Sequence, residues 1–253
     1  MPFTPSHIAA VLPLRRLGVG LPLAALAAGS ASPDVPYFIP GLMAVGQATH
    51  RPLAVVSLDV VIGLVLWVGW RAGARPLHDL APASVRERWR PADWRSTPPW
   101  TVPVAVALGA ATHVLWDSFT HAHRFAATHL TVLSASYPSP LGGEWPGYQW
   151  AQYLSGAVGL IVLAWVGWRQ PRRPTTAVRT CVPNAAVVVV TALAAIGGAA
   201  ARIVSSGAAE DGAGSVMFAG ITGAIAAAAA SLAAFVSWQA LSTARRTHST
   251  ASP

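Results

Sequence analysis

Five long apolar stretches dominate this sequence of 253 residues and constrain what it can fold into. A helix needs about 20 predominantly apolar residues to cross the hydrocarbon core of a bilayer, and each stretch meets or approaches that length. They comprise residues 53–70, 100–120, 150–168, 184–204 and 215–240. The sequence therefore predicts an all-α integral membrane protein, built as a bundle of about five transmembrane helices with a further short helical segment at the N-terminus.

The composition agrees with a membrane location and excludes several other classes of protein. Only 10% of the residues are charged, against about 25% in ordinary soluble domains, and the 53% hydrophobic content excludes intrinsic disorder. The single cysteine, Cys181, excludes an intramolecular disulfide framework and a cysteine-rich zinc site. We attribute the net charge of +8 to arginines that flank apolar segments, and not to a surface that binds nucleic acid. Membrane lipids are the expected partners, and the oligomeric state stays open.

The arginines are distributed unequally between the two sides that five alternating spans define. Twelve lie in the 71–99 loop, the loop after the third span and the C-terminal tail, whereas three lie on the opposite side, Arg51, Arg124 and Arg202. Positive residues accumulate on the cytoplasmic side of a membrane. This predicts a multi-pass protein of the cell membrane with a cytoplasmic C-terminus, and it places His50 and His121 toward the outer face.

The N-terminal segment allows two interpretations. Two arginines at 15–16, an apolar run at 17–28 and the small residues at 29–32 are similar to a secretory signal peptide. Pro22 interrupts the apolar run, however, and the residues before the arginines do not form a basic region. We therefore expect an uncleaved short helical hairpin. Whether residues 8–32 span, re-enter or lie in the interface stays open.

The strongest chemical signal is the segment THVLWDSFTHAH at 112–123. Its His113, Asp117 and His121 follow an i, i+4, i+8 spacing, which places them within about 80° of arc on one helix face. Imidazoles and carboxylates are ligands for zinc and other divalent transition metals. Three such residues rise about 12 Å along a helix, so other segments must complete a site. The alternative is a polar stripe that lines a water-filled cavity or joins helices.

Three other residues could converge on this stripe. Asp34 lies between two prolines in SPDVPYF, His50 lies at the outer edge of the first span, and His7 reaches the same place only if the N-terminal segment re-enters. Each has an ordinary explanation as a helix cap, an interfacial residue or a solvated terminus. We expect the carboxylates of Asp34 and Asp117 to lie within about 10 Å of each other, because both would have to bind one metal ion or two adjacent metal ions.

Other polar residues are assigned smaller roles. Asp59 lies in the middle of the first apolar stretch, so we expect it to face the bundle interior. Gln149 and Gln152 begin the third span and could face the polar stripe. Glu144 is interpreted as a turn residue, with a supporting base as the alternative, and His123 points away from the stripe if the helix continues that far.

Several blocks resemble a bacterial membrane family that is catalogued as domain of unknown function 4184. They are MPFTPSHIAAVLPLRR, LPLAALAAGSASPDVPYF, HVLWDSFTHAH and YQWAQYLSGAVGL, which together cover about residues 1–170. The polar pattern is similar, more distantly, to inner-membrane metal-dependent hydrolases, and through them to zinc-dependent phospholipase C and P1-type nucleases. This resemblance implies a divalent metal, with zinc favoured, and the ligands His7, Asp34, His50, His113, Asp117 and His121.

The sequence thus leaves three hypotheses for function. The first is a metal-dependent hydrolase of phosphoester or lipid-type substrates with a His/Asp site near the outer membrane face, its catalytic residues unassigned. The second is a transporter whose polar stripe lines a path, although no inverted repeat is visible. The third is a non-enzymatic membrane scaffold. Residues 1–170 are predicted to form the family-like domain with the site, and residues 171–253 an Ala/Gly-rich two-helix extension with a basic tail.

Overall fold

The computed structural model describes residues 4–14, 20–92, 97–140, 143–174 and 180–250, without the side chains of 246–250. Among these residues the chain is mainly helical, with very little β-structure. In order the elements are α1 Thr4–Val11, α2 Leu23–Ala31, a 3-10 helix Ser32–Phe38, α3 Met43–Thr49, a 3-10 helix Pro52–Val56, α4 Leu58–Leu80, α5 Ala83–Arg86, α6 Thr101–Thr120, α7 Phe125–His129, α8 Thr131–Ser134, β1 Ser136–Pro138, β2 Glu144–Pro146, α9 Gly147–Trp168, α10 Asn184–Ser206 and α11 Ala213–Thr250.

Five of the described helices are long and apolar enough to cross a membrane, namely α4, α6, α9, α10 and α11. This confirms the predicted all-α membrane architecture. The first span differs from its predicted bounds, because Pro52–Val56 forms a separate 3-10 helix and α4 continues from Leu58 to Leu80. Asp59 therefore lies in the first turn of α4 rather than in the middle of a span. An apolar run in the sequence indicates only the part of a helix that can cross the membrane. Helix α4 continues beyond that run through polar residues.

The N-terminal segment forms two short helices rather than one continuous crossing, in agreement with the predicted short helical segment. Val11 on α1 and Ala25 and Leu26 on α2 are completely buried in a common core with residues of α6. Residues 15–19, with the arginines of the signal-like pattern, lie outside the described residues. The hairpin brings the N-terminal end of α1 back toward α6, which is the condition under which His7 was expected to reach the polar stripe.

Helices α2 and α6 touch through their backbones. A Cβ added at Gly29 would collide with the backbone of Val106, and one added at Gly109 would collide with the backbone of Leu26 and Ser30. Small residues permit this close approach of helices in lipid. The contact fixes the C-terminal end of α2, and with it the backbone carbonyl of Ser30, beside α6.

The last two spans, which form the Ala/Gly-rich part of the sequence, pack against each other. Gly198 on α10 and Gly223 on α11 approach so closely that a Cβ at either would meet the other's backbone oxygen. Helix α11 also packs on α4, and Arg202 of α10 donates a hydrogen bond to the carbonyl of Tyr37 at 3.2 Å. The pair therefore supports the segment that carries Asp34. The short antiparallel hairpin of β1 and β2 was not predicted.

Candidate metal centre

Four buried side chains from three separate segments meet at one point. His113 and Asp117 come from α6, Asp34 comes from the first turn of the 3-10 helix Ser32–Phe38, and His50 caps the C-terminus of α3. None is more than 2% exposed. His113 and Asp117 thus face the interior of the bundle, beside Asp34 and His50.

Local sequence explains how Asp34 and His50 reach α6. Pro33 and Pro36 fix two φ angles of the 3-10 helix that holds Asp34, and Thr4 of α1 donates a hydrogen bond to Asp34 Oδ2. The hydroxyl of Thr49 donates to the carbonyl of Pro33 at 2.7 Å. Because Thr49 precedes His50 in the chain, this bond holds the end of α3 against the segment that carries Asp34.

The donor atoms are spaced as the ligands of one small cation would be. His50 Nε2 lies 3.4 Å from Asp34 Oδ1 and 3.1 Å from Asp117 Oδ2, and His113 Nε2 lies 3.5 Å from the same two oxygens. Bonds of about 2.1 Å to zinc separate neighbouring ligand atoms by roughly 3.0–3.5 Å. Both carboxylates contact one imidazole nitrogen, so they lie well within the predicted limit of about 10 Å.

The two imidazoles are oriented with Nε2 toward the centre. His50 Nδ1 lies 2.7 Å from the carbonyl of Gly46, and His113 Nδ1 lies 2.7 Å from the carbonyl of Ser30. A carbonyl only accepts, so each Nδ1 carries a proton and donates it. In the neutral ring, Nε2 then presents a lone pair to the centre. Metal-binding histidines are fixed in the same way by a second hydrogen bond.

The atoms that face the centre lack hydrogen bonds within the described part of the chain. They are His50 Nε2, His113 Nε2, Asp34 Oδ1, Asp117 Oδ1 and Asp117 Oδ2. They nevertheless lie 3.1–3.6 Å from histidine or carboxylate atoms of the cluster, within the range of His–carboxylate ion pairs. Buried polar atoms are rarely left unpartnered in folded proteins. A convergent set of donors without hydrogen bonds could hold a cation, and the residues form two triads with metal-ligand spacing, His7/His113/Asp117 and Asp34/His50/His113.

His7 and His121 line the more open side of the cluster. His7 Nε2 lies 3.6 Å from Asp117 Oδ1, and its ring stacks on His113 with centroids 4.1 Å apart. His121 Nδ1 lies 3.2 Å from the same oxygen of Asp117, and the His121 side chain is 19% exposed. Its Nε2 accepts a hydrogen bond from Gln152 at 3.0 Å, and its Nδ1 lies 3.0 Å from the hydroxyl of Thr120. His121 is thus already held by protein partners, and its role as a ligand stays a prediction.

Burial and neighbouring charges set the protonation of the site residues outside the spans. Burial, aided by the nearby His113, lowers the pKa of His7 to about 3, so this imidazole is neutral at pH 7. Burial opposes charge on Asp34, but the adjacent His113 and His50 outweigh it and hold its pKa below the usual range. Burial likewise opposes charge on His50, yet the facing carboxylates raise its pKa. A cation at the centre would displace that proton, because metal-bound imidazole is neutral.

Of the other polar residues considered in the sequence, some lie in or beside the cluster and others lie on the surface. Asp59 is completely buried, as expected, and Gln152 contacts the stripe through His121. Glu144 is exposed at the start of β2, so the prediction of a turn residue was wrong. His123 is exposed with a φ of 61° just after α6 ends. Sequence reasoning missed Thr4 and Thr49. A hydroxyl residue next to a proline or a histidine is too common to indicate such bonds.

Comparison with known proteins supplies a family and no activity. The sequence model of the family described as Domain of unknown function (DUF4184) matches residues 1–237, which extends beyond the 1–170 covered by the resemblance. No curated protein and no solved structure matches the chain. The division of the chain at residue 170 stays a prediction. A match over this length shows that the chain belongs to the family described as Domain of unknown function (DUF4184).

Proposed function

We propose that this protein is a metal-dependent hydrolase within a cell membrane. The observation that carries the proposal is the convergence of five buried donor atoms that make no hydrogen bond, from His50, His113, Asp34 and Asp117. Perturbed, buried titratable groups of this kind concentrate at functional sites. His7 would complete the ligand set from α1, and His121 would stand at the rim.

The electrostatics favour a cation at the centre. Asp34 is 2% exposed and Asp117 is 1% exposed, and both lie against the same imidazoles. Two carboxylates in a buried site repel each other, so their charge must be compensated either by protonated imidazoles or by a bound cation. A divalent ion offsets both charges at once. Mixed imidazole and carboxylate ligands suit zinc, which is the ion we favour.

The residues at the rim can support hydrolysis. A bound divalent ion would supply an activated water and polarise a phosphoryl oxygen. A small cavity of about 10 Å³ lies beside the cluster, lined in part by His7, His121 and Gln152, and a space of this size holds about one water. Asp117 Oδ1 contacts both histidines at this rim and can accept a proton there. Hydrolysis would add the water oxygen to phosphorus, break the bond to the leaving alcohol and pass a proton to that alcohol.

The proposal predicts metal-dependent release of headgroups from phospholipid. Purified protein in mixed micelles with phosphatidylethanolamine should release a water-soluble phosphoester or alcohol, measured by mass spectrometry. Removal of metal with a chelator should abolish release, and added zinc should restore it. Replacement of His113 by alanine removes a central donor and should abolish release even with added zinc.

The matched control is His129→Ala, because His129 is a helical histidine that is exposed on α7. This variant should retain full release. Release that survives both chelation and His113→Ala would show that the cluster does not carry out the chemistry, and the hydrolase proposal would be wrong.

The arginine distribution supports a cytoplasmic C-terminus, with the metal centre toward the opposite face. The site lies where α6 ends and α4 begins, so two antiparallel helices bring it to one side of the bundle. A topology reporter fused after Arg246 should be cytoplasmic, and one inserted at Gly212, between α10 and α11, should be external. The reverse pair of results would overturn this orientation.

A further inference from the structure

An apolar groove opens beside the metal centre, between α1, α6 and α9. Its volume is about 470 Å³, within the range of about 300–1,000 Å³ that is typical of small-molecule sites. Leu115, Trp116 and Phe119 of α6 line one side, Ala151 of α9 the other, and Ala10 of α1 contributes as well. Leu115 is 64% exposed and Phe119 is 42% exposed. The groove is therefore open to the outside of the protein along the surface of two spanning helices.

The polar residues of the groove have their hydrogen bonds satisfied within the protein. Thr112 donates to the carbonyl of Gly109 at 2.7 Å, and Thr120 donates to the carbonyl of Trp116 at 3.2 Å. The indole N–H of Trp116 donates to the hydroxyl of Ser155 at 3.2 Å, which ties α6 to α9. These bonds leave little unmet polarity for a ligand. The groove accordingly favours a hydrocarbon over a sugar or a peptide.

One end of the groove meets the metal centre. Trp116, Thr120 and Ser155 line both the groove and the water-sized cavity that His7 and His121 also line. The ring of Trp116 contacts that of His7 edge-on, with centroids 6.2 Å apart. An occupant with one apolar end and one polar end could thus lie in the groove and present its polar end to the cluster.

We propose that the groove holds one acyl chain of a phospholipid from the surrounding bilayer, with the phosphoester of that lipid at the His/Asp cluster. The lateral opening between membrane-spanning helices faces acyl chains, and the adjoining cluster carries donors for a cation that would bind the phosphoester. The assignment of the phosphoester as substrate rests on the proposed function. The binding site for the acyl chain is inferred from the groove alone.

Photo-crosslinking with a lipid of known structure tests the proposal. The probe is phosphatidylethanolamine with a diazirine in one acyl chain, present at limiting amount with the purified full-length protein in detergent. In the wild type, we expect labelling concentrated in the peptides that contain Leu115 to Phe119 and Ala151. Replacement of Ala151 by tryptophan fills the groove and should abolish that labelling, whereas Ala151→Leu should reduce it in part.

The control is Ala157→Trp, which places the same ring on α9 at an exposed position outside the groove, and it should leave labelling unchanged. Metal content, measured by elemental analysis, should equal that of the wild type in all three variants, which shows that the fold and the cluster persist. Labelling spread evenly over exposed positions such as Leu154 and Val158, or labelling that survives Ala151→Trp, would overturn the groove assignment. A wild type that labels in the groove but binds no metal would instead overturn the proposed hydrolase.

Discussion

Replacement of Asp117 by asparagine is expected to abolish high-affinity metal binding. The carboxylate of Asp117 lies within 3.6 Å of four imidazoles, those of His7, His50, His113 and His121. Asparagine keeps the shape of the side chain but removes the negative charge and one acceptor oxygen. Loss of even an outer partner of a metal ligand costs about 10–100-fold in affinity, so loss of the central carboxylate should exceed that range.

Zinc titration of purified protein, followed by elemental analysis and by thermal unfolding, measures this effect. Zinc should raise the unfolding temperature of the wild type, because a ligand that binds only the folded state stabilises it. The gain is about 2.7 kcal/mol when the free ligand concentration is 100 times the dissociation constant. The Asp117→Asn variant should show no such rise. The control Asp211→Asn alters an exposed carboxylate in the turn before α11 and should match the wild type. A variant that is less stable yet binds zinc normally would favour the scaffold hypothesis.

Replacement of Gly109 by alanine is expected to destabilise the protein and, together with that, to weaken any zinc binding at the His/Asp cluster. The added Cβ would collide with the backbone of Leu26 and Ser30, and a backbone cannot rotate away as a side chain can. Overpacking of this kind costs about 1–3 kcal/mol, occasionally more. Separation of α2 from α6 would also shift the Ser30 carbonyl that accepts the hydrogen bond from His113.

The matched control is Gly167→Ala on α9, where no heavy atom lies within 4 Å of the added Cβ. This change should leave the stability close to that of the wild type, because Gly167 is the next-to-last residue of α9 and the added Cβ meets no other atom. Thermal unfolding in detergent compares the two variants, and zinc titration reports on the site. Equal unfolding temperatures for both variants would show that the contact between α2 and α6 does not contribute as described.

The spacing in THVLWDSFTHAH was sufficient to predict that His113 and Asp117 share one buried helix face. It was insufficient for His121, because α6 ends at Thr120 and His121 has extended backbone angles. The helix end depends on tertiary contacts that periodicity does not report. His121 consequently binds Gln152 and lies at the rim, although it still contacts Asp117.

The convergence of Asp34 and His50 was predicted from the shared membrane side and from the cost of a buried carboxylate. The hydrogen bonds that hold the two imidazoles could not be predicted in this way, because their acceptors are backbone carbonyls of Gly46 and Ser30. A carbonyl carries no sequence signal. The predicted position of Asp59 in the middle of the span was wrong, because Pro52 begins a separate 3-10 helix and α4 begins only at Leu58.

X-ray diffraction from zinc-loaded crystals, with anomalous data collected at the zinc absorption edge, tests the central claim most directly. We predict an anomalous peak between Asp34, His50, His113 and Asp117, about 2.0–2.2 Å from each imidazole Nε2 and from a carboxylate oxygen of each acid. Crystals that show no peak at this point, with the imidazoles hydrogen-bonded directly to the carboxylates, would contradict a metal centre and leave the cluster as a structural polar network.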